Sequence, residues 1–298
     1  LKALVAGAWA GVIFSLLPAT SALASSLQVF VSIAPQKYFV QRIGASLVNV
    51  SVLVPPGADP HTYEPKPRQM VSLSGSALYF AVGVDFEKAW LKKIAAAHPR
   101  MRIIPTDEGI AKIPMTAGHR HENAEGRQGR KERHPGTSPD PHVWLASNPV
   151  KIQAAHIAKA LAETDPKNRS QYAAGYDSFV KELDSLDAEL KALFAGRKGE
   201  RFLAFHPAWG YFAAAYGLQQ ETVELEGKEL KAAQLQTLIR RARDLGVKVV
   251  FAQPQSSAKG AEMVAREIGG QVVVVDPLAE DWGANMRTVA DKFRAALK

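Results

Sequence analysis

The sequence predicts an α/β protein of two lobes, each a parallel sheet flanked by helices, joined by one long helix. Three observations carry this. Short β-rich runs alternate with helical runs from Leu27 to about 105 and again from 201 to the end, the pattern of strand–helix–strand units with right-handed crossovers. Between the two series, residues 168–195 hold a long amphipathic helix. The chain has 298 residues, 47% hydrophobic and 22% charged, which is ordinary globular composition near the usual size limit of a single core.

The first residues stand apart from this pattern. Residues 3–24 follow Lys2, are almost wholly apolar and end in Ala22-Leu23-Ala24, the marks of a secretory signal peptide over 1–24. Pro18 and the small-residue end favour cleavage over a membrane anchor. No later stretch is apolar enough to span a bilayer, and no cysteine follows the apolar run to carry a lipid. The expectation is an exported periplasmic protein, freed of its leader and not lipid-anchored. Removing 1–24 takes away only Lys2 among the charges and turns the formal +8 into +7.

The N-terminal lobe is expected over 25–167. LQVFVSI (27–33) is β-like, and PQKYFVQRIG (35–44) reads as a helix with Pro at its first turn and Gly at its end. VNVSVLV (48–54) is the next strand, before the turn-rich loop PPGADPHTYEPKP (55–67). A short helix near 68–75, a strand at 77–82, a helix near 86–97 and the strand RIIP (102–105) follow. Residues 116–139 are rich in Gly, Arg, Glu, His and Pro, so they read as a mobile surface loop. Order returns at DPHVWLASNPV (140–150), where Ser147 or Asn148 can cap a helix with Pro149 in its first turn.

The connecting helix is expected within 168–198. Tyr172, Tyr176, Phe179, Leu183, Leu186, Leu190 and Leu193 are spaced 4, 3, 4, 3, 4, 3, one apolar face. About 26 residues at 1.5 Å each reach about 39 Å, the height of two lobes. The stripe spans under four heptads, so a coiled-coil dimer is the lesser use of it and a monomer is expected. The C-terminal lobe, 199–298, repeats the alternation: strands at 201–205, near 220–224, 247–253 and 271–277, with helices at 207–216, 231–245, 257–268 and 283–297.

Composition narrows the chemistry. The chain has no cysteine, which removes disulfides, thiolate zinc sites and cysteine nucleophiles. Lysines and arginines are scattered among acids, so no nucleic-acid footprint is expected. A metal site would have to use histidine and carboxylate. His61 lies in the loop after 48–54, His206 ends the strand 201–205, Asp276 ends the strand at 271–275, and His142 precedes a helix. Ligands gather outside the carboxyl ends of parallel strands, and two facing lobes would bring these four to one cleft. Three imidazoles and a carboxylate suit tetrahedral Zn²⁺. Taken singly, each reads as well as a cap or turn residue.

The stretches PPGADPHTYEPKP, DPHVWLASNP, FLAFHPAWGYFAAAYGL, FAQPQSS and VVVVDPLAEDW occur in that order, with EGKELKAAQL (226–235) before a helix. Together they resemble the cluster A-I metal-binding proteins of ABC transporters, the zinc/manganese periplasmic family, from about Leu27 to the end. The resemblance implies two lobes clasping a divalent metal in the cleft between them and delivering it to an inner-membrane ABC permease, with no enzymatic activity. Motif by motif, it implies ligands at His61, His142, His206 and Asp276. Manganese-type members tend to carry glutamate at the third position. Histidine there makes this set resemble the zinc type, which suits imidazole chemistry, with Mn²⁺ as the lesser alternative. Some zinc-type members use a glutamate just before the first histidine, where this chain has Pro60. Water or Glu64 are the substitutes for Asp276.

Trp144, Trp209 and Tyr211 flank these positions and read equally as an apolar wall around the metal or as core. Asp281 and Trp282 match the family pattern without an assignable role. His119, His121 and His134 lie in the polar loop, where relatives often carry a His-rich acidic segment implied to gather metal. Between 118 and 134 this chain has five Lys/Arg against three Glu, a balance that repels cations, so they are a secondary metal site or a spacer. His98 and His156 are expected as bystanders. A zinc hydrolase would use three histidines and an open position, but no HExxH or comparable motif is present. An adhesin is the third reading, and the absence of an anchor argues against it.

Overall fold

A computed structural model describes residues 26–115, 138–225, 228–229, 231–256 and 258–297. The expected leader and the loop histidines His119, His121 and His134 lie outside these residues. In the first lobe the order is β1 Leu27–Val31, α1 Ala34–Gly44, β2 Val48–Val52, α2 Pro67–Ser72, β3 Leu78–Ala81, α3 Asp85–Ala97 and β4 Arg102–Pro105. Two long helices follow, α4 Ser147–Thr164 and α5 Arg169–Leu193. The second lobe opens with β5 Arg201–Ala204, α6 Gly210–Tyr216, β6 Gln219–Thr222 and the short strands β7 Glu224–Leu225 and β8 Lys228–Glu229. It continues with α7 Ala232–Asp244, β9 Val249–Ala252, α8 Ala258–Glu267, β10 Gln271–Val274 and α9 Trp282–Ala296.

Both main sheets are four-stranded and parallel, in the orders β2-β1-β3-β4 and β10-β9-β5-β6. Read from the edge, each lobe places its second strand beside its first, then crosses back to its third and fourth. The lobes share one winding. In each, the switch of direction falls next to the first strand, where doubly wound sheets open a crevice at the carboxyl ends. β1 and β3 are near-continuous apolar runs because helices cover both faces of their sheet.

The apolar stripe of α5 is the spine. Tyr172, Phe179, Leu183, Leu186 and Leu190 are buried, while Tyr176 and Leu193 pack partly covered against the same core. The helix lies against α1 and α4 of the first lobe and touches α9 of the second. Close approach to α1 requires glycine at 175: a Cβ there would sit 2.2 Å from the Ile43 carbonyl oxygen. Where α1, α5 and α9 meet, the Phe39 ring packs 5.7 Å from Phe179 and 5.4 Å from Trp282. The main core is therefore one cluster running through both lobes, with a smaller one on the outer side of the second.

Three local expectations need correction. Neither Ser147 nor Asn148 caps α4; Ala146 stands at that position in extended conformation without a side-chain cap, and Ser147 is buried inside the first turn. The helix expected from 207 starts at Gly210, and the Trp209 amide just before it is held by the Gln220 side chain at 2.8 Å. The strand near 220–224 ends at Thr222, and an antiparallel hairpin pairing Glu224 with Glu229 follows it. Strands of two residues carry no alternation, so no pattern announces them.

Candidate metal centre

His61 sits in the loop that leaves β2. The loop extends the ladder first, with the Leu53 and Val54 amides bonding the carbonyls of Val31 and Ser32. It then turns, and Asp59 Oδ1 accepts the His61 amide at 2.9 Å. The Pro60 carbonyl accepts the Phe86 amide at 3.3 Å, which fastens the loop to the start of α3. Asp85, the first residue of that helix, takes the ring: Oδ2 lies 2.7 Å from His61 Nδ1, and Oδ1 pairs with Lys88 at 2.6 Å.

His142 is held by its own near neighbour. Asp140 Oδ1 accepts both the His142 amide, at 2.9 Å, and Nδ1, at 2.7 Å. The pair is buried, with side chains 3% and 2% exposed. Asp140 is in turn crowded by the second lobe. A Cβ at Gly210 would come within 2.7 Å of its Oδ2, and the Tyr211 hydroxyl donates to its carbonyl at 3.1 Å.

His206 follows β5, and its Nδ1 lies 2.9 Å from Glu224 Oε2. The β5–β6 register explains the pairing. Ala204 is opposite Thr222, and past the strand ends the amides of Val223 and Glu224 still bond the carbonyls of Ala204 and Phe205. That ladder places Glu224 beside His206.

The three imidazoles converge across the cleft. Ring centroids are 5.2 Å apart for His61–His142, 5.0 Å for His61–His206 and 5.3 Å for His142–His206. Among the described residues they form the one group of three or more His, Asp or Glu whose ligand atoms all lie within 4.8 Å of one another. A carboxylate can only accept, so each Nδ1 carries a proton, and in the neutral ring each Nε2 is then a lone pair. The Nε2 atoms of His61 and His142 face each other at 3.2 Å, a contact in which two lone pairs share a cation, either a proton carried by one ring or a metal ion. A tetrahedral zinc with bonds of about 2.05 Å places its nitrogens about 3.3 Å apart. His206 Nε2 is buried with no hydrogen-bond partner, a costly omission unless something else takes the lone pair. Histidines fixed by carboxylates at Nδ1 and convergent at Nε2 are the build of a metal site.

Electrostatics separates the ligands. Burial pulls His142 down to about 4; Asp140 opposes this through its charge and hydrogen bond, and the other two imidazoles add to the fall. Burial also opposes charge on His61, but the Asp85 hydrogen bond and the carboxylates of Asp59, Asp85 and Asp140 outweigh it and raise its pKa. The hydrogen bond to His61 holds Asp85 well below the usual carboxylate range.

Asp276 lies just past β10 but outside the three-histidine group. Its Oδ1 accepts the Leu278 amide at 2.9 Å and Gln255 Nε2 at 3.0 Å, and its carbonyl accepts Asn285 Nδ2 at 2.7 Å. Glu64 is exposed and is not in the group either. The indole of Trp144 donates to the Pro277 carbonyl and that of Trp282 to the Trp144 carbonyl, each at 2.7 Å. These two tryptophans tie the His142 segment to the Asp276 segment, which supplies the role that sequence did not assign to Trp282. Trp209 is core, packed on Phe212 and Phe293. His98 and His156 bond backbone carbonyls of Met70 and Glu108, away from the group. Sequence reasoning missed Asp85, Asp140 and Glu224. Of these only Asp140 left a local trace, in its place two residues before His142.

Known proteins agree with this architecture. Residues 29–296 match the family described as ZnuA, zinc-uptake complex component A, periplasmic. A crystal structure of ZnuA superposes with a TM-score of 0.81 at 41% identity, covering 91% of this chain and 99% of that one. A ZnuA deletion mutant with zinc bound gives 0.80 at 42%, covering 91% and 98%. A putative metal-binding protein of Chlamydia trachomatis is 27% identical over 267 residues, 89% of this chain and 90% of its own length. No described helix is long and apolar enough to cross a membrane. With its paired parallel lobes, long helix and three convergent histidines, the chain belongs to the ZnuA family of periplasmic metal-binding solute-binding proteins.

Proposed function

We propose that this chain captures one Zn²⁺ between its lobes and hands it to an inner-membrane ABC permease. His61, His142 and His206 bind through Nε2, and Asp276 completes the sphere. The reading is carried by one observation: three imidazole Nε2 atoms meet in a buried cleft while every Nδ1 is occupied by a carboxylate. An all-imidazole first set favours zinc over manganese, which prefers oxygen. Asp276 stands outside the three-histidine group, so its entry brings the 276–278 segment toward the histidines on loading. The protein acts in the periplasm as a monomer, exported behind a cleaved leader at 1–24. His119, His121 and His134 are at most a weak outer site, and deleting 118–134 leaves the main site intact.

The test is a competition titration with Zn²⁺ and Mn²⁺ on the protein and on His206→Ala. One tight zinc site is expected, lost in the variant. Tighter retention of Mn²⁺ than Zn²⁺, or an unchanged variant, overturns the assignment.

A further inference from the structure

The three carboxylates behind the histidines are not equivalent in origin. Asp85 opens a helix of the first lobe, and Asp140 is part of the segment that carries His142. Glu224 belongs to neither kind of support. It sits at the junction of β6 with the β7–β8 hairpin, eighteen residues beyond the histidine it touches. Its backbone is fixed on one side by the bond from its amide to the Phe205 carbonyl, at 2.9 Å, and on the other by the Thr222 hydroxyl donating to its carbonyl, at 2.9 Å. The residue is thus held rigidly, with its carboxylate against His206 Nδ1. The far nitrogen of that ring is the buried Nε2 atom without a partner.

We propose that Glu224 is the positioning residue for His206: it keeps the proton on Nδ1, sets the ring plane and so presents the Nε2 lone pair to the metal. The β5–β6 register, continued past the strand ends, is the means by which the second lobe aims its histidine ligand. Without that carboxylate the imidazole can exchange tautomers, and the form with hydrogen on Nε2 cannot bind a cation. The inference rests on the zinc reading of the three histidines, and it adds a residue that acts through a ligand without touching the metal.

The experiment is zinc competition on the full chain and on Glu224→Ala, Glu224→Gln, His206→Ala and the Glu224→Ala/His206→Ala double variant. Loss of an outer carboxylate typically weakens metal binding about 10- to 100-fold, and that loss is expected for Glu224→Ala. Glu224→Gln keeps an acceptor for Nδ1 and is expected to recover most of it. In the His206→Ala background, the weak zinc binding left to the remaining ligands is expected to be unchanged by Glu224→Ala, because the ring it positions is gone. Wild-type affinity in Glu224→Ala overturns the proposal. So does a Gln variant as weak as the Ala variant, or an equal loss in both backgrounds, which would place the effect in the fold of the lobe. A native chain that takes up no zinc at all strikes the site reading instead, so the two failures are told apart.

Discussion

Asp59-Pro60-His61 and Asp140-Pro141-His142 are the same tripeptide, and in both the aspartate Oδ1 accepts the histidine amide at 2.9 Å. Beyond that bond they diverge. Asp140 also holds the ring of its own histidine, buried at the junction of the lobes. Asp59 does not hold its ring; the His61 imidazole turns to Asp85, whose side chain is 39% exposed and shared with Lys88. One ring is pushed down to about 4 and the other is raised. Three residues of sequence therefore fix the backbone turn that points a histidine into the cleft, and the surroundings decide how the ring titrates. Of the two, His142 is ready to bind a cation across the whole neutral range, whereas at His61 protons compete.

The largest expected difference between the two motifs comes from removing their aspartates. Asp140→Ala leaves the His142 amide and Nδ1 without an acceptor in a buried place, which costs about 1–3 kcal/mol of fold stability per orphaned group and about 10- to 100-fold in zinc affinity. Asp59→Ala removes two turn bonds, from the His61 amide and the Thr62 hydroxyl, and leaves the ring on Asp85, so a loss of only a few-fold is expected. Zinc competition with parallel urea unfolding measures both; equal losses would show that the two aspartates do the same work.

The second difference lies in pH. Bound imidazole must be neutral, so protons displace metal. Because the pKa of His61 is raised, falling pH protonates it early, while His142 stays neutral until about 4. Zinc affinity is therefore expected to start falling at a higher pH than an ordinary histidine ligand would dictate. Asp85→Asn removes the carboxylate that favours the charged ring, so its acid edge should move to lower pH. Titrations of zinc occupancy from pH 8 to 4 check this, and an edge that stays in place would detach Asp85 from the proton competition.

The strands and the helices were legible from local pattern, the apolar runs and the 4-3 stripe of α5, whereas the three histidines, each alone as good a cap or turn residue, were legible as ligands through the ordered motifs that resemble the family. The supporting carboxylates were not. Glu224 meets His206 through strand register, and Asp85 meets His61 because a fourteen-residue loop folds back onto α3. Neither relation is written in neighbouring residues. Asp276 was legible as a residue at a strand end, yet position alone does not bring its carboxylate to the histidines. Trp144 reads equally as metal-site wall or core and Trp282 carries no assignable role in the sequence; both are buried, and their indole nitrogens find carbonyls across the lobe boundary that no one-dimensional pattern encodes.

The smallest expected effects probe why Asp140 differs from Asp59 at all, namely its cover by α6. Gly210→Ala would bring a methyl group within 2.7 Å of Asp140 Oδ2, closer than carbon and oxygen tolerate, so α6 or the carboxylate must give way by several tenths of an ångström. A few-fold loss of zinc affinity is expected. Tyr211→Phe is gentler. It removes the hydroxyl that accepts the Ile113 amide at 3.3 Å and donates to the Asp140 carbonyl at 3.1 Å, worth about 1 kcal/mol of stability. Because the Asp140 carboxylate itself is untouched, zinc affinity in Tyr211→Phe is expected to stay within about twofold of wild type while the urea midpoint drops. A larger loss of affinity would mean that the backbone of the Asp-Pro-His turn, and not the carboxylate on it, is what the second lobe holds in place.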